Sequence, residues 1–460
     1  MNIELINTGS ELMLGRVLNT HQQWLCRQLA DQGWVVTRQV AVDDNVEMIR
    51  QAVQEALTRA DLIIATGGLG PTSDDRTRDV IATLLGLALQ RDEATLRHIE
   101  KFFTARGRPM PPSAAVQALI PAGATVLKNA FGTAPGLVVR IAPGSEASSP
   151  LPAKSLLVML PGPPRELRPM FSRQVLPLLR EWLPPQPAYV CRTLRSTGIP
   201  ESRMEETIAP ALTALVSAGL DLGYCARPGE VDVRLAARDR APEPAKIAPA
   251  ATSTSPLKAQ ETLTQGNLPS SCALSAWEIV TQAEQIVRRR VGEALYGCED
   301  DLIEEVVVRA LTERGQRLTC AESCTGGLIA HRLTNVPGAS QVFWGGWVTY
   351  ANAAKEQLLG VRPETLAQHG AVSEPVAREM AEGARVRSQA DYALAVTGIA
   401  GPSGGTPDKP VGTVFLALAT PRQTIVRQSL NAFERDTFKH VTSQQALEML
   451  RQELRAGHRP

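Results

Sequence analysis

The sequence predicts an α/β protein of more than one domain, and three observations carry that reading. From Met1 to about Phe171, short segments at 3–6, 34–40, 62–65 and 156–160 read as buried strands. Between them Met48, Ile49, Ala52, Val53, Ala56 and Leu57 recur with helical spacing, and alternation of this kind favours a doubly wound, largely parallel sheet. Second, residues 318–330 run from an apolar stretch through small polar residues into a helical pattern, and 392–402 form another buried-looking strand that closes on glycines. Third, 460 residues exceed one ordinary core, and residues 241–275 are rich in Ala, Pro, Ser, Thr and Gln with few aromatics.

Taken in chain order, the third strand of the first region leads into Thr66-Gly67-Gly68-Leu69-Gly70-Pro71-Thr72-Ser73-Asp74-Asp75. Gly67, Gly68, Gly70 and Thr72 suit a phosphate loop, and Asp74 with Asp75 suits a divalent cation. A glycine loop is a weak signal by itself, and the two aspartates serve equally as caps for a helix starting near Thr77. Residues 141–152 read as a loop insertion before the next strand. Residues 172–240 read as a small α+β domain that joins the others, and 241–275 as a linker with too little apolar surface to offset its ordering entropy. Arg288, Arg289 and Arg290 fall on a helix as a solvated face. The resulting division is 1–171, 172–240, 241–275 and 276–460.

The chemistry-bearing residues concentrate in the last third. Ser323 stands at a strand-to-helix junction, where free N–H groups and the helix dipole stabilise an anion or a developing oxyanion, and Gly326 and Gly327 let a ligand approach the backbone. Lys355 supplies an amine that serves as a base once burial or a nearby positive charge lowers its pKa. Thr397 falls at the carboxyl end of the strand read in 392–402, at the edge where open α/β sheets bind ligands. Singly, each residue has an ordinary alternative: Ser323 as a helix N-cap, Lys355 as a surface lysine, Thr397 as a hydroxyl bonded to its own turn. Cys324 is a rival nucleophile beside Ser323.

Composition narrows the function classes. Lys plus Arg number 48 against 47 Asp plus Glu, so no net charge draws the chain to nucleic acid or anionic membrane. No run approaches the roughly 20 apolar residues of a membrane span, and no export signal opens the chain, so a cytoplasmic protein is expected. Seven irregularly spaced cysteines fit reduced thiols, with Cys320 and Cys324 as packing residues. The six histidines form no triad-like motif.

Ala321-Glu322-Ser323-Cys324-Thr325-Gly326-Gly327, followed by Val336-Pro337-Gly338-Ala339-Ser340, His369-Gly370-Ala371-Val372-Ser373 and Val396-Thr397-Gly398-Ile399-Ala400-Gly401-Pro402, resembles the carboxyl-terminal domain of the CinA (competence/damage-inducible) family. That resemblance implies a nicotinamide-nucleotide amidase, converting nicotinamide mononucleotide to nicotinate mononucleotide and ammonia in pyridine-nucleotide salvage without a cofactor. It implies Ser323 as nucleophile, Lys355 as its base, Tyr350 and Thr397 in support, Cys324, Thr325, Gly326, Gly327 and Gly398 at the substrate, and Arg435 on its phosphate. The chain has Tyr350-Ala351-Asn352-Ala353-Ala354-Lys355 where the family often has Tyr-Ser-Asn-Glu-Ala-Lys, and Phe433-Glu434 for the Gly-Asp before the arginine.

Gly9-Ser10-Glu11-Leu12, the 66–75 loop, Gly132-Thr133-Ala134-Pro135-Gly136 and Leu160-Pro161-Gly162-Pro163-Pro164-Arg165-Glu166 resemble the molybdopterin-binding-like domain that begins CinA proteins. Here Asn129-Ala130-Phe131-Gly132 replaces a more usual Asn-Pro-Val-Gly, losing a proline's fixed φ. For this domain the resemblance implies an ADP-ribose pyrophosphatase using Mg, Mn or Co at Asp74 or Asp75, a molybdopterin-related role, or a purely structural domain. It also implies a homodimer. The rival readings are a non-catalytic nucleotide- or pterin-binding protein and a serine amidase for another small amide.

Overall fold

The computed structural model describes residues 1–141, 155–184, 186–239 and 274–456; the loop insertion and the linker expected from the sequence lie almost wholly outside them. The chain forms two compact units, one built on Met1–Val190 and the other on Cys191–Ala237 with the carboxyl-terminal part.

In the first unit a six-stranded sheet runs Arg38–Val42, Ile3–Thr8, Leu62–Thr66, Ser155–Leu160, Gly136–Ile141, Thr125–Leu127. The first four strands are parallel, Gly136–Ile141 runs antiparallel to Ser155–Leu160, and Thr125–Leu127 pairs antiparallel with it, so the largely parallel sheet carries one reversed strand near its edge. Strands at 3–8, 62–66 and 155–160 are buried throughout, as strands covered on both faces must be. Their alternate residues separate into two cores. Ile3, Leu5, Leu62, Ile64, Val158 and Leu160 meet Leu25 and Leu29 of the helix Thr20–Ala30 on one face. Ile6, Ile63, Ala65, Leu157 and Met159 meet Ile49 and Val53 of Val46–Leu57 on the other.

Two expected boundaries move. The second strand starts at Arg38 because Trp34 turns down into the core. The first domain does not end at 171, since one helical run continues from Pro164 to Trp182 and sinks Phe171, Val175 and Leu179 into the same core.

In the second unit a four-stranded sheet has the order Asp221–Arg227, Glu230–Arg238, Tyr189–Thr197, Leu295–Cys298. Its last strand pairs antiparallel with 189–197, and the helix Ala276–Val291 packs on Glu201–Ala218. Residues 276–298 thus complete the middle domain from beyond the linker, where the sequence predicts part of the carboxyl-terminal domain. Buried Arg195 pairs with Asp232 at 2.9 Å, and Glu230 accepts from the Tyr296 hydroxyl and, at 3.0 Å, from Gln444 Nε2.

The carboxyl-terminal sheet has the order Phe343–Val348, Leu318–Glu322, Tyr392–Gly398, Thr413–Ala419, Thr424–Leu430; the first three are parallel, and each of the last two pairs antiparallel with the strand before it. One face presents Ala321, Ala393, Ala395, Ala417 and Ala419 to the helix Glu374–Ser388. These methyls let that helix sit close, and at Gly383 a side chain would run into the Leu359 backbone. The other face carries Leu318, Cys320, Leu394, Val396, Leu416 and Leu418 under Val307, Leu311, Phe438, Leu447 and Leu450.

Candidate active site

The expected strand, loop and helix at 318–330 are present: the strand Leu318–Glu322 ends, residues 323–327 turn, and the helix Leu328–Thr334 begins. Gly326 and Gly327 take φ of 62° and 95°, a region that a residue with a Cβ enters only with strain. Ser323 does not cap this helix. The cap position is Gly327, and the carboxylate of the preceding Glu322 serves the helix start instead. Glu322 is 1% exposed and accepts from Thr325 Oγ1 at 2.7 Å and from the N–H groups of Gly327, Ile329 and Ala330 at 3.0, 3.0 and 2.8 Å. A buried carboxylate among these donors offsets its lost hydration and meets the positive end of the helix dipole. Relieved of capping, the Ser323 side chain is open to other partners.

One of those partners is Lys355. Its Nζ lies 3.1 Å from Ser323 Oγ and donates to the carbonyls of Thr349 at 2.8 Å and Tyr350 at 3.3 Å. Lys355 is 1% exposed and Ser323 9%. The lysine opens a turn of π-helix, Lys355–Leu359, the i to i+5 winding that recurs at functional sites. Burial pushes the Lys355 amine below its ordinary value, because the charged form loses its hydration; polarity at the Cys324 sulfur opposes this. The Ser323 N–H is anchored on Val396 O at 3.0 Å, which places the hydroxyl beside the end of the strand Tyr392–Gly398.

The other expected residues divide. Thr397 is buried and its hydroxyl donates to Ala371 O at 2.8 Å, so it braces the strand end and makes no hydrogen bond to Ser323 or Lys355. Tyr350 is 62% exposed; its hydroxyl accepts from Arg435 Nη2 at 2.9 Å, and only its main chain touches the lysine. Arg435 opens the last helix and also donates from Nη1 to Gly401 O at 2.9 Å, so its guanidinium reaches the glycine turn that follows Gly398.

Of the loop donors, Gly326 N–H bonds Ser323 O at 3.2 Å and Gly327 N–H is held by Glu322, so neither is free for a substrate oxyanion. The N–H groups of Cys324 and Thr325 instead face the Cys324 sulfur. That thiol is buried and pushed up to about 12, chiefly by desolvation, which leaves it protonated and a poor nucleophile at neutral pH.

Sequence reasoning missed two residues. Glu322 stood next to Ser323 in the motif, and its helix-capping role was detectable as a carboxylate just before a helix start. Lys439 lies one turn after Arg435 on the same helix, and its Nζ approaches to 3.9 Å the point where a side chain on Gly326 would begin. Spacing of i, i+4 from Arg435 was the available signal.

In the first unit Gly9, Gly67, Gly68, Gly70 and Gly162 line a cavity of about 350 Å³ with Asp74, Asp75, Glu11, Asp44 and Glu166. It opens at the carboxyl ends of the parallel strands, the expected ligand edge. The loop glycines are demanded first by packing: a Cβ on Gly67 would meet Thr8 O at 2.6 Å, and one on Gly68 or Gly70 would run into Thr77 or Asp75. Asp75 accepts from the Thr72 N–H at 2.9 Å and from the Thr72 hydroxyl, which turns the loop, and neither aspartate caps the helix Thr77–Leu84. Among the described residues no group of three or more His, Cys, Asp or Glu converges as a ready metal cage. Asp74 and the remaining oxygen of Asp75 fit a cation only of the kind that completes its shell with ligand phosphate and water.

Comparison with known proteins follows the same division. The model of the probable molybdopterin binding domain matches residues 4–181, that of the damage-inducible protein CinA KH domain 191–254, and that of the CinA C-terminal domain 300–454. A putative competence-damage inducible protein of Symbiobacterium thermophilum is 45% identical over 424 residues, 91% of this chain and 88% of its own. The chain belongs to the CinA family. Another CinA relative, a putative competence-damage inducible protein of Moorella thermoacetica, is 40% identical over 99% of both chains. Among solved structures, the competence/damage inducible protein CihA of Agrobacterium tumefaciens is 43% identical and matches 34% of this chain and 97% of its own, with a TM-score of 0.32. The CinA C-terminal match begins at 300, just after the strand Leu295–Cys298 that closes the middle sheet. No helix among the described residues is long and apolar enough to cross a membrane.

Proposed function

We propose that the carboxyl-terminal domain hydrolyses the carboxamide of nicotinamide mononucleotide, with Ser323 as nucleophile and Lys355 as its base. The observation that carries this reading is the 3.1 Å contact between Ser323 Oγ and a buried amine that has no carboxylate partner among the described residues. Neutral Lys355 takes the hydroxyl proton as Oγ attacks the carboxamide carbon, and the carbonyl oxygen takes up the negative charge of the tetrahedral intermediate. The lysine passes that proton to the amide nitrogen, the C–N bond breaks and ammonia leaves an acyl-serine. Water, deprotonated by the same amine, attacks the ester, and Ser323 recovers its proton as the acid departs.

Arg435 and Lys439 present two cations at one side of the loop, suited to the 5′-phosphate. The deciding experiment measures ammonia release by the full chain from the mononucleotide, with Ser323→Ala alongside. Activity that survives this substitution excludes the assignment, and activity on nicotinamide itself equal to that on the mononucleotide would favour a broader small-amide amidase.

The cavity of the first unit supports a second reading, a pyrophosphatase acting on a nucleotide diphosphate such as ADP-ribose. Asp74 and Asp75 would hold a divalent cation there, which when bound supplies charge neutralisation at the diphosphate. AMP release from ADP-ribose that depends on added magnesium, manganese or cobalt and is lost in Asp74→Asn tests it; no AMP with any of the three metals removes it.

A further inference from the structure

Beside the glycine-loop cavity, in the same unit, lies a second recess of about 430 Å³. Arg97, His98 and Lys101 of the helix Glu93–Thr104 line it, with Lys128 following the strand Thr125–Leu127 on another wall. Arg97 and Lys101 are four apart and share a helix face. The side chains of Lys101 and Lys128 have no hydrogen bond or ion pair among the described residues. Arg97 feels the charge of Asp92, whose carboxylate is already engaged by the Thr95 N–H at 2.7 Å. Three cations therefore face one concavity against a single carboxylate, in a chain whose net charge is only +1. Gathered like charges repel and focus a positive potential into the hollow, a cost that a bound anion removes.

The recess is also joined to the cavity next door. Thr133 lines both. Asn129, on the recess wall, donates to Ala134 O at 2.8 Å and to Glu166 Oε2 at 2.7 Å, and Glu166 belongs to the neighbouring cavity. His98 Nε2 lies 3.2 Å from Gly132 O, which holds the ring against the same loop. A carboxylate-lined cavity and a cation-lined recess thus stand on two sides of one short loop, an arrangement that orients a ligand by its charges.

We infer that this recess is a binding site for a phosphate-class anion, adjoining the glycine-loop cavity and independent of whether that cavity is catalytic. The test uses the full chain and inorganic pyrophosphate. Lysine acetylation followed by peptide mass spectrometry is expected to show Lys101 and Lys128 protected severalfold by saturating pyrophosphate, with Lys409 labelled as before. In R97Q/K101Q/K128Q the calorimetric binding of pyrophosphate to the first unit's site should weaken by about tenfold or more, since charge-assisted contacts dominate such affinity. Unprotected Lys101 and Lys128 at saturation, or a folded triple variant that binds as the parent does, overturns the inference. If the variant misfolds, the labelling of the unaltered protein decides. AMP in place of pyrophosphate identifies the source: stronger protection by AMP assigns the recess to a nucleotide, and stronger protection by pyrophosphate to the inorganic anion.

Discussion

Replacing Lys355 by methionine isolates the amine, because the two side chains have similar length and volume. The substitution deletes the 3.1 Å contact to Ser323 Oγ and the bonds to Thr349 O and Tyr350 O at 2.8 and 3.3 Å. Losing a positioned general base lowers the rate by about 10²–10⁴-fold. Stability should move far less, since about 1 kcal/mol per lost hydrogen bond is opposed by the relief of burying an ammonium. The amine's folded pKa lies below its ordinary 10.5, so the unfolded chain binds more protons between the two values. Stability contributed at this site therefore rises with pH across that window and is lowest beneath it, and Lys355→Met removes the slope. In the parent, kcat/KM for ammonia release should climb with pH and level off below 10.5, as neutral lysine accumulates. A methionine variant within tenfold of the parent rate, or a pH profile with no acid limb, refutes the dyad.

Further outcomes follow from neighbouring contacts. Cys324→Ala should retain ammonia release within a few-fold while Ser323→Ala loses it, because the thiol pushed up to about 12 is un-ionised at neutral pH; the reverse ranking in the same assay exchanges their roles. Glu322→Ala strips the acceptor from Thr325 Oγ1 and three N–H groups, and should cost about 2–4 kcal/mol locally, read as lost hydrogen-exchange protection over Leu328–Thr334. Lys439→Ala and Arg435→Ala should each raise KM for the mononucleotide by about tenfold or more with kcat little altered, and leave the riboside unaffected, as loss of uniform phosphate binding requires. A fall in kcat at unchanged KM would place them at the reacting group instead.

Much of the fold was legible because it rests on local rules. Wholly apolar runs at 62–65 and 156–160, and Ile3, Leu5 and Ile6 around buried Glu4, are strands because a sheet covered on both faces favours apolar residues there. The 34–40 run misled because Trp34 is equally apolar in a loop that folds onto the core. The antiparallel edge of the first sheet and the closing of the middle sheet by 295–298 were illegible, since strand partners separated by long loops leave no periodic trace.

The site divides along the same line. Ser323, the glycines of its loop and the strand end at Thr397 are determined by the sequence alone, because a strand that must turn at once into a helix needs small residues and positive φ where they stand. That Lys355 is buried and meets Ser323, that Glu322 takes over the helix cap, and that Thr397 braces Ala371 were decided only by the tertiary structure. Proton transfer depends on separations of a few tenths of an ångström and on whether water reaches an amine, and both are set by strands and loops far apart in the chain.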